Sequence, residues 1–278
     1  IILATGYDVF DPTPISQYGY GQLPNVFTSL EFERLCSPSG PTAGKLKLAD
    51  GREPQSLAIV HCVGSRDHNY REYCSRLCCM AGLKYAHLFR EKTGGDVYQM
   101  YIDMRCFGKA YEEFYQRVQE EGVKFIKGKV AKISSNGAGS EDKDKLTITC
   151  EDTLLGEMVH IPVDMVVLLT ALEPRRDADE IRKLLHLGQS RDGFLLERHP
   201  KLDPVATMSE GIFIAGCCQG PKDIPDTVAQ ASAAAARVLA VIARGSVETG
   251  AVTASIDENR CCGCKVCNAL CPYGAISF

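Results

Sequence analysis

The sequence predicts an α/β fold with parallel strands, ending in a small module too short to hold a core by itself. Three observations carry that reading. Strand-length apolar runs alternate with helix-length segments from position 55 onward. Glycine turns close an early strand at 1–6 (IILATG) and a late one at 211–216 (GIFIAG). The final stretch sets five cysteines within 261–271.

The opening run 1–6 reads as a buried strand entering a tight turn with no lead-in, so the chain is expected to begin inside a domain. The run 57–62 (LAIVHC) is apolar and β-branched, and 73–91 is a helix with Leu77, Ala81, Tyr85 and Leu88 at helical spacing. A second strand follows at 96–104, a helix at 110–122 closed by Gly122, and a third strand at 123–133, completing a βαβαβ unit. The polar stretch 134–145 is a surface turn leading into strands at 146–151 and 157–163, and 165–170 returns as a buried strand. Further on come an amphipathic helix at 176–187, a buried strand at 211–215, and a helix at 227–244 capped by Asp226 and stopped by Gly245. A small-residue linker at 246–254 then leads to Ile256, which opens a module of about two dozen residues that is either metal-stapled or unfolded.

The 278 residues carry 31 Lys+Arg against 35 Asp+Glu, a net charge of -4 that offers no basic field for nucleic acid or anionic lipid. The apolar run 165–169 is too short for a bilayer, and the Ala-rich stretch 228–243 contains Gln230, Ser232 and Arg237, so no membrane span is expected. Fourteen cysteines in a chain of ordinary 45% hydrophobic content do not describe a secreted disulfide scaffold. They read as metal or redox groups in a reducing, cytoplasmic compartment.

Cys261, Cys264, Cys267 and Cys271 form CxxCxxCxxxCP, the bacterial ferredoxin run, with Pro272 ending the loop. The first three are spaced to bind corners of one [4Fe-4S] cube and the fourth to reach a second cube. Zinc modules place their ligands as separated pairs, which this run does not, and Cys262 fills a spacer slot. A second group, Cys62, Cys74, Cys78 and Cys79, surrounds the first strand-to-helix turn, where a dinucleotide-binding unit would carry GxGxxG. Only Gly64 remains there, and Arg66 does not let a phosphate approach as glycine does. Four thiols at a helix N-terminus favour thiolates and cluster ligation, with a redox-active dithiol as the alternative. Cys36, Cys106 and Cys150 read as ordinary positions, and His61, His87 and His160 as satisfied histidines inside elements.

The segments HCVGSRD, YCSRLCCMAGLKYA, YIDMRCFGKAYEEFY, GIFIAGCCQGPKDIPDTVAQASAAA and CCGCKVCNALCPYGAI together resemble the A-type subunit of heterodisulfide reductase, and they span nearly the whole chain. That resemblance implies a thioredoxin-reductase-like, two-dinucleotide-binding flavoprotein core holding FAD, an iron-sulfur cluster on the internal cysteines, and a C-terminal ferredoxin-like [4Fe-4S] module. It divides the chain into 1–54, part of an FAD-binding domain with a connecting segment; 55–163, an NAD(P)-domain-like unit carrying the cysteine cluster; 164–245, the second part of the FAD-binding domain; and 246–278, a linker with half a ferredoxin domain. Neither an amino-terminal GxGxxG nor a second ferredoxin motif is in the sequence, so an internal fragment is expected. Ala4, Thr5, Gly6, Gly216, Lys222, Asp223 and Gln230 match the family's flavin-contacting segments, with Ala231 beside Gln230 on the late helix and Lys222 as a charge tuning the reactive flavin edge. Where the broader class has an Asp after the late glycine, this chain has Cys217 and Cys218.

The implied activity is electron transfer between FAD and iron-sulfur clusters: flavin-based bifurcation serving reduction of the CoM-S-S-CoB heterodisulfide and of ferredoxin. The implied partners are B- and C-type subunits and an electron-donating hydrogenase or dehydrogenase, around a homodimer. Similar subunits serve a quinone-interacting membrane-bound oxidoreductase in sulfate reducers. The rivals are an NAD(P)H-dependent flavin oxidoreductase subunit of the glutamate synthase small-subunit type, which would need a phosphate loop after Cys62, and a non-catalytic ferredoxin-like scaffold.

Overall fold

The computed structural model describes residues 1–135, 144–246, 254–272, 275 and 276. The chain divides into two compact units, Val9–Leu172 and a second made of Ile1–Asp8 with Glu173–Phe278.

Unit Val9–Leu172 is built on a five-stranded parallel sheet in the order Val26–Thr28, Met165–Thr170, Ser56–Val63, Asp96–Tyr101, Lys124–Lys127. Met165–Thr170 is buried at every residue and Ser56–Val63 at all but its first. Such continuous apolar strands persist only where both faces are covered. Helices Ser29–Cys36 and Cys78–Thr93 supply cover, through a cluster joining Phe32, Leu57, Ile59, Leu83, Phe89, Val167 and Leu169. The expected division at 54 and 164 therefore moves: Val26–Thr28 and Met165–Thr170 are strands of this sheet, so 9–54 and 164–172 join the unit carrying the internal cysteines. A capping box of Thr28 and Glu31 starts the Ser29–Cys36 helix. The two ends of the unit are tied by Phe10 N–H donating to the Ala171 carbonyl at 2.9 Å.

The expected strand 123–133 is two strands in different sheets. Lys124–Lys127 closes the parallel sheet, whereas Val130–Ser135 pairs antiparallel with Leu146–Asp152, which in turn pairs with Glu157–Val163. The break falls at Gly128, where the backbone passes so close to the Glu151 carbonyl that a Cβ has no room. The expected turn 134–145 lies mostly outside the described residues, as does most of the expected linker 246–254.

The helix expected at 73–91 begins instead at Cys78, because 64–77 folds into a loop of its own. Arg66 N–H donates to the Tyr73 carbonyl, Asp67 N–H to Arg71 and Arg71 N–H to Gly64. Left-handed backbone at Arg76 (φ 61°) bars helix until the chain has turned. Ser75 Oγ accepts from Leu172 N–H, and the Tyr73 hydroxyl donates to the Leu172 carbonyl, anchoring the loop to the chain just past the Met165–Thr170 strand.

In the other unit, Ile2–Leu3 runs parallel to Phe213–Ile214. Only Leu3 of the opening run is buried; Ile1 and Ile2 are exposed, contrary to a fully buried strand. Helix Ala178–Leu185 is shorter than the expected 176–187. The late helix is Ile224–Ala243, one turn earlier than expected, and its cap is Asp223, whose carboxylate accepts from Asp226 N–H at 2.9 Å. Pro225, with no N–H to lose, fits the first turn that this start creates. That helix buries only Ala234 and exposes Ile224, Val228, Leu239 and Ile242; it is long and apolar enough to cross a membrane by length and composition alone.

Candidate iron-sulfur and flavin sites

The internal cysteines meet at the carboxyl ends of the parallel strands, where α/β proteins bind ligands. Cys62 is the penultimate residue of the Ser56–Val63 strand and takes left-handed backbone, φ 58°. Cys78 and Cys79 are the first two residues of the following helix, at its positive end. All three are buried. The Cys78 thiol is hydrogen-bonded to both neighbours, so its own pKa is driven well up. The same bonds hold Cys62 and Cys79 below the ordinary thiol range against the opposing effect of burial, and His61 lowers both further. Buried Cys150 and Cys36, together with half-buried Cys106, behave oppositely: desolvation pushes each up to about 11, as expected of inert packing thiols.

Cys74 lies on the loop, half-buried, with Arg76 N–H donating to its sulfur at 3.3 Å. The structure thus brings Cys62, Cys78 and Cys79 into one hydrogen-bonded group. Arg66, whose guanidinium feels both Cys62 and Cys74, links the fourth thiol to it. Among the described residues no three Cys, His, Asp or Glu side chains close around a single ion. A cubane cluster takes its thiolates one per iron corner, and soft thiolates raised from a strand end, a loop and a helix start suit that geometry.

The surroundings of the thiols fit a polar guest. Four buried side-chain atoms in the described residues have no hydrogen-bond partner: His61 Nδ1, Ser65 Oγ, Arg66 Nη1 and Thr170 Oγ1. Three belong to residues flanking Cys62, and Thr170 pairs with Val63 in the sheet register. Buried polar groups are almost always satisfied, so four orphans around one cysteine mark a place shaped for an acceptor or donor from outside the chain. His61 is more than the satisfied histidine expected: its Nε2 meets Gln99 Oε1 at 2.7 Å, and its ring also faces the Cys79 thiol, whose pKa it lowers. His87 and His160 are satisfied, by Glu121 at 2.9 Å and Thr149 at 3.2 Å. Ser65, Gln99 and Thr170 had no motif to betray them; for His61, adjacency to Cys62 at a strand end was the available signal.

The C-terminal motif is organised differently. Cys261, Cys264 and Cys267 are exposed and Cys271 half-buried, around left-handed turns at Gly263 and Lys265 and the five-residue helix Val266–Leu270. Val266 N–H, and then Cys262, hydrogen-bond Cys264 and lower its pKa, while Cys271 N–H donates to the Cys267 carbonyl at 3.1 Å. Cys262 thus supports a neighbouring sulfur from its spacer position.

The two glycine turns stand side by side. Ala215 N–H donates to the Leu3 carbonyl at 2.9 Å, so the Ala4–Thr5–Gly6 turn and the Gly216 turn leave the same ends of paired parallel strands. Gly6 takes φ 78° and Gly216 φ 79°, values that side chains resist. Ala4 and Thr5 are exposed and Gly216 is buried. Gln230 Oε1 accepts from Gly216 N–H at 2.8 Å, placing Gln230 under the turn from the helix's second turn rather than its first; Ala231 beside it is exposed. Lys222 is buried, and its ammonium donates to the Gly216 carbonyl (2.7 Å), Gln219 Oε1 (2.9 Å) and the Gly220 carbonyl (3.0 Å). The Cys217 and Cys218 thiols donate to main-chain carbonyls of Lys222 and of Leu3 and Ala215.

The family model described as a 4Fe-4S binding domain matches residues 254–277. The fold is that of thioredoxin reductases: the Thermoplasma acidophilum enzyme matches with TM-score 0.54 at 15% identity over 87% of this chain and 65% of that one, and the Lactococcus lactis enzyme with 0.52 at 18% over 88% and 66%. Sequence similarity is far stronger to the second of the A-type iron-sulfur subunits of CoB–CoM heterodisulfide reductase from Methanopyrus kandleri, 49% identical over 284 residues. The A-type subunit of the H2:CoB-CoM heterodisulfide,ferredoxin reductase of Methanothermobacter marburgensis is 50% identical over 282 residues. Each match covers all of this chain, which spans 42% of the length of those relatives. Along all of its length the chain is similar to the A-type subunits of heterodisulfide reductase.

Proposed function

We propose that this chain is the part of an electron-transferring oxidoreductase subunit that connects FAD to iron-sulfur clusters, working in a heterodisulfide reductase complex. The observation carrying this is the meeting of buried Cys62, at the end of the Ser56–Val63 strand, with buried Cys78 and Cys79, at the start of the Cys78–Thr93 helix, where a nucleotide-binding fold would cradle a phosphate. Cys62, Cys74, Cys78 and Cys79 would hold one [4Fe-4S] cluster, Cys261, Cys264 and Cys267 part of a second, and Cys271 would reach a third. Such clusters pass single electrons, and flavin exchanges them in pairs.

The residues set where those groups sit. Ala4, Thr5, Gly6 and Gly216 offer bare backbone to the flavin, Asp223 caps the helix behind the turn, and Gln230 steadies the Gly216 amide. Lys222 keeps its proposed part as the tuning charge, acting through the Gly216–Gly220 loop that its ammonium binds. NAD(P)H chemistry in this unit is disfavoured by the side chains of Cys62 and Arg66 in left-handed turns where glycine would admit a pyrophosphate. The complex would reduce heterodisulfide and ferredoxin in the cytoplasm, with B- and C-type subunits, a hydrogenase or dehydrogenase donor and a second copy of itself as partners.

Anaerobic purification of the full-length protein tests this, with iron, acid-labile sulfide and FAD quantified per chain. Bound flavin and several clusters are expected, and Cys62→Ser should lose the iron of one cluster. Colourless, flavin-free protein overturns the reading. Lys222→Ala should retain iron and shift the flavin potential; an unchanged potential removes Lys222 from its assigned part.

A further inference from the structure

Barring a phosphate does not account for the way Arg66 is held. Its guanidinium is mostly covered, 21% exposed, and Asp103 Oδ2 receives Nη2 at 2.7 Å, fixing the plane of the fork. Nη1 is buried with no partner among the described residues. The same residue's backbone takes φ 52° and its N–H closes the loop onto Tyr73, so fold and side chain are committed together.

The other orphans narrow what Nη1 awaits. Gln99 bridges the Gly82 carbonyl, through Nε2 at 3.5 Å, and His61 Nε2, through Oε1 at 2.7 Å, so its amide is already engaged and His61 is held beside Cys62. Arg66 Nη1 and Ser65 Oγ are the unpartnered donors beside Cys62 among the described residues. Ser65 is 1% exposed and forms no hydrogen bond from its hydroxyl among the described residues. Two buried donors beside thiolates call for electron-rich sulfur as acceptor.

We infer that Arg66, oriented by Asp103 and assisted by Ser65, is a positioning residue that donates hydrogen bonds to the sulfur atoms of the cluster bound by Cys62, Cys74, Cys78 and Cys79 and so raises its reduction potential. The inference rests on the cluster reading above. Hydrogen bonds to cluster sulfur favour the more negative, reduced state. Arginine stays protonated throughout the working range, so the effect is independent of pH.

Full-length protein purified anaerobically, as wild type, Arg66→Gln, Arg66→Lys and Asp103→Asn, tests it by EPR-monitored redox titration with iron counted per chain. Arg66→Gln should keep its iron and lower the midpoint potential of one cluster only, by the same amount at about pH 6 and about pH 9. Asp103→Asn, changing a half-exposed side chain, should shift the same cluster in the same direction by less, and Arg66→Lys should restore part of the loss. If Arg66→Gln fails to assemble the cluster, the Asp103→Asn shift decides. Full iron with unmoved midpoints in Arg66→Gln and Asp103→Asn overturns the inference, as does a shift that appears only on one side of neutrality. Full iron in Cys78→Ser instead overturns the underlying cluster reading.

Discussion

The two cysteine sites are built by opposite means. Around Cys62, Cys78 and Cys79 the protein supplies everything but the guest: a sheet whose residues Leu57, Ile59 and Val60 are at most 1% exposed, a 16-residue helix, and donors already in place. Around Cys261, Cys264 and Cys267 it supplies a motif and a five-residue helix, with every one of those thiols exposed. A fold that orders itself holds a cluster as a ligand; a segment that cannot must be ordered by the cluster. On the proposed cluster reading, the same donor chemistry would serve as a tuned pocket in one place and as a staple in the other.

Removing the metal should separate them most sharply. When the full-length protein is stripped of iron by a chelator, limited proteolysis read by mass spectrometry should cut freely within 254–272 while leaving 9–172 protected. Equal protection of both regions would erase the distinction. Next in size, Cys78→Ser should lose the iron of one cluster but cost the unit only ~1–2 kcal/mol, the scale of a buried hydroxyl in place of a thiol, by denaturant titration. Cys267→Ser should lose iron and also open 254–272 to protease. Two glycine substitutions compare the sites without removing a thiol. A Cβ on Gly82 would meet Leu169 Cδ1 at 2.8 Å and His61 Nε2 at 3.0 Å, so Gly82→Ala should cost ~1–3 kcal/mol of overpacking and disturb the internal site. Gly263 has open space but φ 71°, so Gly263→Ala should cost only ~1 kcal/mol of backbone strain, measured as reduced cluster retention during dilution.

How much of this the sequence showed depends on whether its cause was local. The runs 57–62 and 165–170 were legible because a strand buried on both faces writes continuous apolar residues. The cysteine spacings were legible because cluster ligation demands fixed offsets. The split of 123–133 was hidden, since its cause is the Glu151 carbonyl pressing on Gly128 from a strand far along the chain. The expected cap at Asp226 gave way to Asp223, and Pro225, which suits a helix's first turn, is the residue that marks the earlier start. The helix start at Cys78 could not be read from apolar spacing that also ran through a loop turned by Arg76. Gln99 and Asp103, which orient His61 and Arg66, act across 38 and 37 residues and leave no trace in local pattern.

The tie between Phe10 and Ala171 gives the chain an order in time. Everything needed to finish the unit 9–172 has left the ribosome once residue 172 and the tunnel's length beyond it are made, whereas Ile2–Leu3 must wait for Phe213–Ile214, more than two hundred residues later. The internal cysteine pocket therefore completes its sheet during synthesis before Ile2–Leu3 can pair with Phe213–Ile214 and before the exposed motif at 261–271 has emerged.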